Sequence, residues 1–143
     1  MRKNAEDRLK RLLALGVQRE IATPPGEPRM SAVLLEIAAP LLEKHGKTAE
    51  RAKTIIALTV AGWNKSQFPA ERQPAVETDL IDCFVPRDSS AEAVGVAIDM
   101  MDFVADRRAR LYPDLRKVVV DFEVIIADGR LTLNATSAPL RDR

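Results

Sequence analysis

Val118-Val119-Val120-Asp121-Phe122-Glu123-Val124-Ile125-Ile126-Ala127-Asp128-Gly129-Arg130-Leu131-Thr132-Leu133-Asn134-Ala135 is the stretch whose reading decides the fold. Asp-Gly is a favoured two-residue hairpin loop, because both central residues of the tight turn take φ > 0. With Asp128 and Gly129 as the loop, Ala127 faces Arg130. Counting back pairs Ile126 with Leu131, Val124 with Leu133 and Phe122 with Ala135. These six residues alternate onto one apolar face. The other face sets Ile125 opposite Thr132, Glu123 opposite Asn134 and Asp121 opposite Thr136. One apolar and one polar face predict an α+β protein, with helices covering one face of a C-terminal antiparallel hairpin.

A two-stranded ribbon alone is marginal in water, so the apolar face requires helical support. The helix nearest in sequence, ending near Leu111, is the expected support. Both ribbon edges are expected to stay open. An open edge invites another strand, from residues 17–21 or from a second chain.

About five helices precede the ribbon. Asn4 to Leu15 reads as the first, basic overall, with Leu9, Leu12 and Leu13 on one face and Gly16 as its stop. Prolines 24, 25 and 28 forbid a helix in the next stretch. The chain therefore divides into a basic helix and arm (1–22), a Pro-rich linker (23–29), and a helical domain with the hairpin (30–143). Within that domain, Met30 to His45 is periodic, with Leu34, Ile37, Ala38, Leu41 and His45 on one face and a kink expected at Pro40. Thr48 caps a helix running to Ser66, whose stripe is Ala52, Ile55, Ile56, Thr59, Val60 and Trp63. Pro69 opens a further segment that Pro74 interrupts, leaving Ala75 to Phe84 helical with Val76, Leu80 and Phe84 aligned. Ser89 to Glu92 has the spacing of a capping box, with Ser89 as the cap. The helix it starts, from about Ala91 to Leu111, is apolar nearly all round in its first half. Such a helix is central to a core or part of an oligomer interface.

Composition narrows the classes. The 143 residues fit one domain with a real core. A net charge of +1 supplies no global field for nucleic acid or an anionic membrane. Cys83 is the single cysteine, which excludes an internal disulfide and Cys-rich zinc sites. No apolar run approaches the length of a spanning helix, and the charged N-terminus lacks the apolar core of a signal peptide. The expectation is a cytoplasmic protein with no cofactor.

Several residues have chemistry available to them. Asp121 and Glu123 share the polar hairpin face, about 7 Å apart by strand geometry, and paired carboxylates bind hard cations or do acid–base work. Asp99, Asp102 and Asp106 share one helix edge, and Glu77, Asp79 and Asp82 supply a second acidic helix, as carboxylate metal sites require. The competing reading for both sets is a solvated face with local ion pairs. A histidine-dependent device would have to use His45, which also suits the end of a helix dipole. Cys83 is not at a helix N-terminus that would activate it. Trp63 continues an apolar stripe, and is a binding anchor only if exposed. Val96, Met100 and Phe103 lie off the main face of the helix around them and are candidates for contact. No GxGxxG, P-loop, HExxH or GxSxG is present.

Two stretches carry a resemblance. They are Ala61-Gly62-Trp63-Asn64 with Pro69-Ala70-Glu71-Arg72, and Leu111-Tyr112-Pro113-Asp114 leading into Val118 to Glu123. Over residues 30–137 the chain resembles small uncharacterised bacterial proteins with a Trp-Asn helix end, a Pro-Asp turn and a closing hairpin. Pro40, Pro74 and the basic N-terminal arm fall outside that pattern, and the resemblance implies no activity. The expected function is non-enzymatic: protein–protein contact, with self-association into a homodimer or binding of a protein partner. Two other readings stand beside it. One is a small metal-dependent hydrolase or ligand binder using an acidic helix or the hairpin face. The other is nucleic-acid binding through the N-terminal helix, which no recognisable motif accompanies.

Overall fold

The computed structural model describes residues 29–140. The expected N-terminal helix, the Pro-rich linker up to residue 28 and a third strand at 17–21 lie outside the described residues. Among the described residues, four helices lead into one hairpin: α1 (Met30–His45), α2 (Ala49–Ser66), α3 (Gln73–Phe84), α4 (Ala91–Leu111), β1 (Lys117–Ala127) and β2 (Arg130–Pro139). A single 3-10 turn, Ala70–Arg72, leads into α3. The α+β architecture is as the alternation predicts. Among the described residues, no helix is long and apolar enough to cross a membrane.

Two local expectations shift. The cap of α4 is Ser90, whose side chain accepts the Ala93 amide at 3.1 Å, and not Ser89. Pro74 does not interrupt α3 but sits in its first turn. Its missing N–H costs nothing there, since first-turn amides have no intrahelical acceptor. The Thr48 cap holds, its hydroxyl accepting the Arg51 amide at 3.1 Å.

The central helix is α2, not α4. Ten of its consecutive residues, Ile56 to Lys65 apart from half-buried Ala57, include nine that are buried. Only Ala97, Met101 and Val104 are buried on α4. The pattern misleads because α2 ends in buried polar residues that apolar counting overlooks, whereas α4 leaves apolar residues outside. Gly62 brings α2 and α4 together: a Cβ there would lie 2.7 Å from the Met101 carbonyl oxygen and 2.8 Å from Val104 Cβ. Hydrogen is the only side chain that this crossing accepts without a shift.

Helix α1 runs through Pro40. Proline has no amide to offer the carbonyl four residues back, here that of Glu36. Arg107 of α4 supplies the substitute donors: Nη2 to the Glu36 carbonyl at 3.0 Å, and Nε to the Ile37 carbonyl at 3.1 Å. Tyr112, just past α4, donates to the Glu36 carboxylate as well. The proline thus frees one of the acceptors by which α4 grips α1, the Glu36 carbonyl. His45 is exposed at the end of α1 and does not share the buried face, which is Met30, Val33, Leu34, Ile37, Ala38 and Leu41.

The hairpin register is the one the loop dictates, from Ala127↔Arg130 to Asp121↔Thr136. Asp128 and Gly129 have φ of 54° and 72°, as the tight turn demands. Beyond Asp121 the chain does something the loop count does not show. The register shifts between Val119 and Asp121, so Val120 is an extra residue, a β-bulge. A bulge swaps the faces on which odd and even residues lie. Val119 before it and Phe122 and Val124 after it therefore join the same apolar cluster, with Leu133 of β2 and Val33, Leu34 and Ile37 of α1. Val118 packs into the other cluster with Leu58, Leu80 and Met101. The base of β1 is buried on both faces, and the ribbon emerges progressively toward its tip.

The support is also reassigned. The ribbon packs chiefly on α2 through β1 and on α1 through β2, with α4 a lesser support. Sequence proximity favoured α4, but the five residues between Leu111 and Lys117 carry the chain to the end of α2, where Trp63 takes the Lys117 carbonyl.

Loss of Arg107 should cost more when Pro40 is present. Arg107→Ala is expected to lower unfolding free energy by about 1 kcal/mol. In a Pro40→Ala background, where the restored amide serves Glu36, the loss should fall to roughly half. Urea unfolding of the four proteins checks this.

Candidate functional site

The last turn of α2 gathers most of the buried polar groups. Trp63 is fully buried, and its indole N–H donates to the Lys117 carbonyl at 2.8 Å. Its ring meets Tyr112 edge-on, with centroids 6.3 Å apart. Asn64 donates from Nδ2 to the Val119 carbonyl at 2.9 Å and accepts the Val119 amide on Oδ1 at 2.7 Å. Gln67 donates to the Leu115 carbonyl at 3.0 Å. Three side chains from one helix end therefore fix the segment that leads into β1 and the base of that strand. Trp63 is thus a packing residue and not an exposed anchor.

Lys65 points the other way. Its ammonium donates to Glu77 of α3 at 2.5 Å and to Asp102 of α4 at 2.8 Å. Burial on its own would lower the lysine pKa. The hydrogen bonds and charges of Asp102 and Glu77 outweigh burial, and the net shift is upward. The two acidic helices do meet, as a carboxylate metal site would need, but around the ammonium of Lys65. A shallow, open depression of about 500 Å³ lies beside it, lined by Lys65, Ala70, Gln73, Pro74, Glu77 and Thr78.

Arg108 is held down from its usual value, mainly by burial and then by the charge of Arg116, with Asp114 opposing. It donates to the carbonyls of Ser66, Pro113 and Leu115, closing the turn after α4. Tyr112 is pushed up, first by its hydrogen bond to Glu36.

The remaining candidates do not converge. Asp99 and Asp106 are exposed on α4, and Asp102 is engaged by Lys65. Asp121 is half-buried and Glu123 exposed on the outer side of the ribbon. Cys83 is half-buried near the end of α3. Among the described residues, no three His, Cys, Asp or Glu side chains come together in an arrangement that could hold a metal ion.

Helix α4 presents the other notable surface. Val96, Met100 and Phe103 follow i, i+4, i+7 spacing and share one sector of the helix. Val96 is 49% exposed and Phe103 37%, with Met100 half-buried between them at the margin of both apolar clusters. Large side chains in a row on one solvent-facing sector form a patch rather than the scattered exposure of ordinary surfaces.

Sequence periodicity missed Asn64, Lys65 and Gln67, because each is polar and lies where the helix was due to surface. The available signal was the uninterrupted Trp63-Asn64-Lys65-Ser66-Gln67 run before Phe68, a polar cluster adjoining the strongest apolar stripe. No known protein family, curated protein or solved structure matches the chain. Of the pattern expected from the sequence, the structure shows the fold shape alone: helices followed by a closing hairpin.

The raised pKa of Lys65 has a direction in stability. Its contribution is complete below the unfolded value of 10.5 and is lost as pH rises through the higher folded value. Wild-type protein should therefore lose stability above that value, relative to Lys65→Met. Denaturant titrations of both proteins from neutral to strongly alkaline pH measure the difference.

Proposed function

We propose that this is a non-enzymatic protein that acts through protein–protein contact and self-associates. The observation that supports this reading is the apolar row Val96, Met100 and Phe103 on the outer sector of α4. Burying apolar side chains drives association, and Phe and Met are among the residues enriched at contact surfaces. Three of the interior polar side chains are used within the fold: Asn64, Lys65 and Trp63 are engaged with Val119, Glu77, Asp102 and Lys117. A small contact area fits association in the micromolar range.

Sedimentation velocity of the full chain, over about 1–100 µM, tests the proposal. Reversible self-association is expected, and Phe103→Asp should weaken it by about tenfold, the scale of a single contact residue. A strict monomer across that range contradicts the reading.

A further inference from the structure

The two edges of the ribbon are treated differently. The edge of β1 is occupied at its base, where Trp63 takes the Lys117 carbonyl and Asn64 takes both backbone groups of Val119. The bulge at Val120 follows, then Asp121 and Glu123. Charges, bulges and covering side chains are the devices by which proteins stop an edge from pairing. Among the described residues, the edge of β2 beyond Arg130 has no charge, no bulge and no side chain hydrogen-bonded to it. No charged residue occurs from Leu131 to Leu140, its register is unbroken, and its one proline, Pro139, stands at the end of the strand. Among the described residues the sheet has two strands, so β2 is an outer strand.

The geometry says which groups that edge offers. In a two-residue hairpin the closing pair, Ala127 and Arg130, exchanges hydrogen bonds. Bonded and non-bonded pairs then alternate along an antiparallel ladder. Leu131, Leu133, Ala135 and Ser137 therefore turn their amides and carbonyls away from β1. Val119, the partner of Ser137, does the same on its own side, and those are the groups Asn64 takes.

We propose that a second copy of this chain adds to this edge, β2 antiparallel to β2 about a two-fold axis, to form a four-stranded sheet β1-β2-β2-β1. The inference rests on the self-association proposed above and adds a surface to it. Two features favour a second copy as the occupant. A two-fold axis through Leu133 or Asn134 pairs odd residues with odd, so the inner-face side chains of Leu131, Leu133 and Ala135 continue from one copy to the next. The stretch carries no charge, so identical strands meet without repulsion.

The test removes the α4 contribution first. The Phe103→Asp full chain is compared by sedimentation velocity with the same chain carrying Thr132→Lys and Asn134→Lys. Both added lysines replace exposed residues on the outer face. In a two-fold pairing they set like charges across the seam, while the fold is checked by circular dichroism. The Phe103→Asp protein is expected to stop at dimers, and the lysine pair to raise its dissociation constant at least about tenfold. Thr132→Ser with Asn134→Ser should leave it unchanged. Hydrogen exchange at Leu133 and Ala135 should slow as dimer forms, independently of any variant's folding. If wild type self-associates but Phe103→Asp is monomeric, or if those two amides exchange at one rate in monomer and dimer, the edge proposal fails and the contact reading stands. If wild type is itself monomeric, both fail.

Discussion

Asn64 uses both ends of its carboxamide on one residue, accepting the Val119 amide and donating to the Val119 carbonyl. This is the pattern by which a neighbouring strand would hold Val119, supplied here by a helix. Both partners are buried, so breaking the pair would orphan polar groups that water does not reach. The rest of the ribbon depends on this junction. It fixes the height at which β1 enters between the helices, and hence which valines are buried on which side. With the Val120 bulge, that placement directs Phe122 and Val124 into the apolar cluster shared with α1, and sets the Phe122 ring 6.2 Å from that of Phe84 on α3.

The same turn of α2 secures the other elements. Trp63 fastens the first residue of β1, Gln67 the loop before it, and Lys65 draws α3 and α4 together through their carboxylates. Gly62, one residue earlier, lets α4 cross at backbone distance. Carbonyls and carboxylates from three elements thus converge on one helix end. A buried lysine between two acids is weak evidence for added stability, since desolvation opposes the attraction. Its structural consequence is positional: it specifies how α3 and α4 sit about α2.

The ribbon was legible because its rules are local. Asp128-Gly129 sets the loop, the loop sets the register, and a period of two assigns the faces. The helices were legible from periodicity and from the Thr48 cap. What escaped depends on distant partners. The bulge answers to Asn64, fifty-five residues away along the chain. The support passed from α4 to α1 and α2 because packing follows three-dimensional complementarity and not sequence proximity. Apolar counting made α4 either central or an oligomer face, and the central helix is α2, buried to its end with polar residues that find partners. Val96, Met100 and Phe103 were set apart in the sequence by their angle on the helix, and two of them lie in the exposed class while Met100 sits at the edge of the core. Trp63 belonged to the core that its stripe described.

The apolar row on α4 and the uncharged edge of β2 are the surfaces on which the proposed contacts rest. That arrangement presupposes a ribbon held rigidly at its base. Native-state hydrogen exchange at the Val119 amide tests this most directly. Clamped by Asn64, that amide should exchange only through global unfolding, in the slowest class of the protein and with the denaturant dependence of complete unfolding. Exchange of Val119 by local opening, at rates like those of the amides near Asp128, would contradict the account.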